Sequence, residues 1–193
     1  MLRNRKVWGV LGVLLALVVV VGYGQVGGNP FARPNIVKML QNQFAPFALK
    51  AEDRLDFDSA VLWSDGGPRL IGYVPPHPES AFLSQVQQLL GGYVGKTAPV
   101  ILGGLYVGED RTGRLPPGAY IMRLVGERAV LYNAAGKEVA ALKARVDRTR
   151  TLPEKLERIP FELTIITPAE PMAPRCFVTR IGNGLIVIEY GLH

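Results

Sequence analysis

The sequence predicts an α+β, mainly β protein: an N-terminal transmembrane or signal helix followed by a β-sandwich-like domain with two short helices. Three observations carry that expectation. Residues 7–24 contain no charged side chain. From Ala98 onward, short runs rich in β-branched and aromatic residues alternate with Gly, Pro and Asn turn clusters. Helical spacing of apolar residues is confined to Ile36–Phe44 and Glu79–Leu90. Many strand candidates are apolar on both faces, which suits two sheets packed face to face. Strands and helices do not alternate as a doubly wound α/β fold requires. The boundaries fall at 1–24 (anchor or signal), 25–50 (linker and amphipathic helix) and 51–193 (β-rich domain).

The N-terminal segment opens with Arg3, Arg5 and Lys6 and continues as VWGVLGVLLALVVVVGYG over 18 uncharged positions. A helix of that length rises about 27 Å, close to the roughly 30 Å hydrocarbon thickness of a bilayer. Basic residues before the span place the N-terminus inside and the rest outside the cytoplasm. Trp8 and Tyr23 sit near the two ends, where amphipathic rings favour the interface. The expected location is therefore the cell membrane, single-pass, with the lipid bilayer as one partner. A cleaved signal is the alternative, with Gly22-Tyr23-Gly24 as its cleavage region and a secreted or periplasmic product starting near Gln25.

Gln25–Pro34 is a Gly- and Pro-rich linker. Ile36, Leu40 and Phe44 then share one helical face, which packs on the core or meets a membrane or partner. Pro46 ends that helix. Strands are expected at 59–64 and 69–74 around the Asp65-Gly66-Gly67-Pro68 turn, and a helix at 79–90 stopped by Gly91-Gly92. Further strands are expected at 99–107, 119–125, 129–132, 137–145, 158–167, 175–181 and 185–190. Gly103-Gly104 marks a bulge or a close approach of backbones. Gly182-Asn183-Gly184 is the strongest hairpin signal in the chain.

Leu115-Pro116-Pro117-Gly118-Ala119-Tyr120, with Ile121–Val125 after it, resembles the corner of prealbumin-like and carboxypeptidase-regulatory-like β-sandwich modules. The resemblance covers about ten residues. It implies a sandwich in which the tyrosine begins an inward-facing strand, and it implies no activity.

The formal charge of +6 arises from 22 basic against 16 acidic residues. Three of the basic residues lie in the first 24, so the remaining chain carries 19 against 16. That balance does not predict nucleic-acid binding, and an exported domain would not meet nucleic acid. One cysteine, Cys176, excludes an internal disulfide and any multi-cysteine metal site. Cys176 is expected to be a buried thiol, although the adjacent Arg175 would favour its thiolate.

The P-loop, the G-x-G-x-x-G turn, the G-x-S-x-G elbow and H-E-x-x-H are all missing. His77 lies among prolines and is expected to be a solvated loop residue. Glu52, Asp53, Asp56 and Asp58 form an oxygen-rich stretch that lacks the EF-hand pattern, so no metal or other cofactor is assigned. Arg145, Arg148 and Arg150 lie in a basic stretch able to meet an anionic surface or an acidic subunit.

These readings add up to a non-enzymatic accessory or assembly subunit of an envelope or membrane protein complex. One alternative is an exported glycan- or lipid-binding module with an aromatic platform drawn from Trp63, Tyr73, Tyr93 or Tyr106. A second is an unrecognised hydrolase, whose sign would be a pocket gathering Asp53, Asp56, Asp58 and His77.

Overall fold

The computed structural model describes residues 18–21, 33–64, 70–91, 99–108, 115–166 and 175–192. Ten strands form one sheet, antiparallel throughout: β1 (Val18–Val21), β2 (Val61–Ser64), β3 (Leu70–Val74), β4 (Val100–Val107), β5 (Gly118–Val125), β6 (Arg128–Tyr132), β7 (Glu138–Val146), β8 (Phe161–Ile166), β9 (Arg175–Ile181) and β10 (Ile186–Leu192). Their spatial order is β1-β8-β9-β10-β7-β6-β5-β4-β3-β2. Strands β2 to β7 are therefore a plain meander. The last three strands are added to β7 in reverse, so the 147–160 connection must cross from the end of β7 to the far side of β10 and β9.

A ten-strand sheet does not stay flat; strand twist accumulates and the sheet curls. Its two ends meet. Tyr73 on β3 packs edge-on against Phe161 on β8, with ring centroids 5.0 Å apart. Trp63 on β2 makes the same kind of contact with Phe177 on β9 at 5.3 Å, and Phe177 stacks on Tyr190 of β10 at 5.5 Å. The expected pair of separate sheets is thus corrected. One curled sheet encloses its own core, and among the described residues no second sheet is present. A core-facing side chain on each of two distant strands serves the same physical end as a second layer. Each fully buried large side chain contributes about 1.5–3 kcal/mol.

Helix α1 (Arg33–Phe44) and helix α2 (Phe82–Leu90) cover the outer face. α1 docks through Leu40 and Phe44, which are 0% and 2% exposed. They face Gly72 and Gly104, whose missing side chains make room: a Cβ on Gly104 would lie 2.5 Å from the Phe44 ring. α2 buries Phe82 and Val86. The Gln85 Oε1 of α2 accepts a hydrogen bond from the Ile101 amide at 2.9 Å.

That amide adjoins a bulge in β4, where the register with β5 shifts between Ile101 and Gly103. The skipped residue, Leu102, offers its carbonyl to the Tyr73 hydroxyl at 2.8 Å. Gly103 takes φ +110 there, and a Cβ would lie 2.3 Å from the Val74 carbonyl oxygen. Both expected properties of Gly103-Gly104 are present: Gly103 bulges against backbone, and Gly104 admits the Phe44 ring.

Residues Val18–Val21 pair with β8, Val18 opposite Ile165 and Val21 opposite Glu162. These four positions were expected inside a membrane or signal helix and are extended instead. Valine is β-branched and fits a strand at least as well as a helix. The rest of the proposed anchor, with Arg3, Arg5, Lys6, Trp8 and Tyr23, lies outside the described residues. So do the 65–68 turn and Tyr93. No helix among the described residues is long and apolar enough to cross a membrane.

The proline corner behaves as the local resemblance implies: Tyr120 opens the inward face of β5, is 4% exposed and donates from its hydroxyl to the Pro116 carbonyl.

Candidate functional site

Among the described residues, two open clefts are formed by side chains that carry chemistry. The first, about 440 Å³, lies where the 49–58 segment passes the loop after β3, and His77, Asp56 and Asp58 line it. Backbone bonds hold the two segments together: the Asp56 amide donates to the Pro75 carbonyl, and the His77 amide to the Arg54 carbonyl. This cleft gathers three of the four side chains that would signal a hydrolase, so their individual duties decide what it can do.

Asp53 does not join them. Its carboxylate receives Arg123 Nη2 of β5 at 2.7 Å, which fastens the short 3-10 turn Ala51–Asp53 to the outside of the sheet. Asp56 is 9% exposed and caps the next 3-10 turn, its Oδ1 accepting from the Ser59 amide at 3.2 Å. The Nδ1 of His77 accepts from the Glu79 amide at 3.1 Å, so His77 is a half-buried turn residue and not the solvated histidine expected. Asp58 is exposed at the cleft. An acid that caps a helix and a histidine whose Nδ1 is spent on a turn are already in structural use. Among the described residues, no three His, Cys, Asp or Glu side chains gather as a metal ion would need.

The second cleft, about 410 Å³, lies on the outer face where β7, β10, β9 and β8 meet the 147–160 crossover. Arg145, Arg150 and Arg180 line it, together with Asp147, Glu162 and the hairpin residue Asn183. Cross-strand register builds it. Arg145 of β7 and Arg180 of β9 both stand opposite Val187 of β10, and Glu162 of β8 stands opposite Arg180. At about 4.8 Å per strand, the two arginine backbones are roughly 10 Å apart on one face.

The Arg180 guanidinium reaches Glu162 Oε1 at 3.4 Å and Thr164 Oγ1 at 3.1 Å. Arg150 Nε reaches Asp147 Oδ2 at 3.4 Å. Asp147 is fixed more firmly by Thr149, whose hydroxyl donates at 2.6 Å and whose amide donates at 3.1 Å. Those bonds, with Arg150 behind them, hold the Asp147 carboxyl below the usual carboxylate range. Arg145 has no acidic partner among the described residues.

Sequence reading therefore located Arg145 and Arg150 in this cleft and missed Arg180, Glu162 and Asn183. Arg148 is exposed in the turn after β7, beside the cleft. The other proposed contact residues are corrected. Leu40 and Phe44 are core, and Ile36 packs beside them, because α1 uses its apolar face to cover β4 and β5. Trp63 is half-buried against Phe177, and Tyr73 is fully buried, so neither forms an exposed aromatic platform. Cys176 is half-buried, and burial, with Glu189 nearby, pushes its thiol up.

No protein-family model matches this chain, and no match emerged among curated proteins or solved structures.

Proposed function

We propose that this chain is a single-pass membrane protein whose β domain lies outside the cytoplasm and serves as a non-enzymatic accessory or assembly subunit of an envelope or membrane protein complex. The observation that carries the reading is the basic head Arg3, Arg5 and Lys6 followed by the uncharged run 7–24. A second support is the use made of the reactive side chains near His77. Asp53 and Asp56 serve as a strap and a cap, and the His77 Nδ1 holds a turn.

The reading makes a demand on β1. With Val18–Val21 in the sheet, the apolar residues before them would supply only about 16 Å of helix, too little for a bilayer of roughly 30 Å. Anchoring therefore requires the four valines to leave β8 and extend the helix. β8 keeps its pairing with β9 when they do.

Alkaline carbonate extraction of membranes from cells making the full chain tests the reading. The chain is expected to stay with the membranes. Substituting Leu14→Lys and Leu15→Lys places two cations mid-span, at a cost of about 2.5–3.5 kcal/mol each, and is expected to release it. A parent chain that extracts like a soluble protein would overturn the proposal.

A further inference from the structure

We propose that the arginine cleft between the 147–160 crossover and the β9–β10 hairpin binds a phosphate group. Three guanidinium groups approach the cleft from different elements: Arg145 from β7, Arg150 from the turn after it, and Arg180 from β9. Guanidinium forks match oxyanion geometry, and several forks around one concavity suit a tetrahedral anion better than a planar carboxylate, which one fork satisfies. The donors have capacity to spare. Arg145 is unengaged among the described residues, and the contacts of Arg180 with Glu162 and of Arg150 with Asp147 are both 3.4 Å, at the long limit for a hydrogen bond.

The floor is suited to the task. Val187, between Arg145 and Arg180, is only 6% exposed, so a ligand there sits over apolar surface, where charge-assisted bonds are less diluted by water. The cleft volume, about 410 Å³, falls within the range of small-ligand sites. Glu162 opposes an incoming anion and competes for Arg180, so it acts as a built-in competitor. Asp147 competes for Arg150 in the same way: Thr149 holds its Oδ1, and its Oδ2 faces Arg150 Nε at 3.4 Å. The inference does not depend on the chain being held at a membrane. A phosphate ester on a lipid headgroup and a soluble phosphate carry the same chemistry.

Arginine-selective labelling with phenylglyoxal, read by peptide mass spectrometry, tests it on the full chain in non-ionic detergent. Inorganic phosphate is compared with chloride and with acetate at equal ionic strength. Phosphate is expected to slow labelling of Arg145 and Arg180 by about threefold, the effect of two-thirds occupancy. Arg54, exposed at the other cleft, is expected to be unaffected. Arg180→Gln should abolish the protection of Arg145, and Glu162→Gln should strengthen it at lower phosphate.

Repeating the labelling in phosphatidylcholine nanodiscs with and without phosphatidylglycerol separates the sources. Added protection by phosphatidylglycerol assigns the lipid headgroup, and protection by free phosphate alone assigns a soluble ligand. Equal labelling in phosphate and chloride overturns the proposal, as does equal protection by acetate or equal protection of Arg54.

Discussion

Gly103→Ala is expected to lower stability by about 3 kcal/mol or more. Two costs add. The residue sits at φ +110, where a side chain is strained, and the new Cβ would lie 2.3 Å from the Val74 carbonyl oxygen, a backbone atom that cannot swing away. The bulge that needs this geometry also holds the Leu102 carbonyl against the Tyr73 hydroxyl. Relaxing one therefore disturbs the other.

Gly136 provides the control. It has φ +73 with nothing within 4 Å, so Gly136→Ala should show the conformational cost alone, about 1–2 kcal/mol. Gly72→Ala meets the mobile end of Leu40 at 2.9 Å and should be the more readily absorbed clash. Thermal unfolding should show a drop in Tm for Gly103→Ala of roughly 6–12 °C for a chain of this size. A loss no larger than that of Gly136→Ala would mean that the bulge is not rigid.

Alkaline pH should unfold the protein through two phenols. Tyr73 and Tyr190 are buried in the closed end of the curl. Burial, opposed in part by a hydrogen bond with Thr179 and aided by Cys176, pushes the Tyr190 hydroxyl up to about 12. Burial, with Tyr190 close by, pushes Tyr73 well above its ordinary value too. An unfolded chain ionises tyrosine near pH 10. Above that pH the unfolded state binds fewer protons than the folded state, so stability falls as pH rises.

The contribution is fully present below about pH 10 and is lost as pH climbs towards about 12. For Tyr190 alone that amounts to roughly 3 kcal/mol. In a spectrophotometric titration of the seven tyrosines, the last two phenolates are expected to appear only as circular dichroism reports loss of the sheet. Titration of all seven near pH 10 with the sheet intact would refute the packing at Tyr73 and Tyr190.

Local signals explain why most elements were legible and the architecture was not. The Gly182-Asn183-Gly184 turn specifies its own hairpin, and from it Arg180 opposite Val187 could have been read directly. Nothing local says that β10 then pairs with β7, which is what brings Arg145 to the other side of Val187. The cleft was half visible for that reason.

The same limit governs the sheet count. Tyr73 on β3 and Phe177 on β9 face inward, and an inward face fits two packed sheets as well as one sheet that curls onto itself. Phe161 against Tyr73 decides between them, and that contact joins residues far apart in sequence. The helical face of Ile36, Leu40 and Phe44 was plain, but its partner was not. Gly72 and Gly104 are what admit it, and a glycine in a strand pattern does not name the side chain it makes room for. In the first 24 residues the two codes overlap. A run of four valines satisfies both an apolar span and a strand, and only its surroundings choose.

As proposed above, the β domain works as one subunit of a larger membrane assembly. Native mass spectrometry of the C-terminally tagged full chain, extracted in mild detergent, tests it most directly. The expected result is a chain of full-length mass that travels with other protein subunits. A lone chain beginning near Gln25 and recovered without detergent would contradict it, and would redirect the search to a soluble ligand.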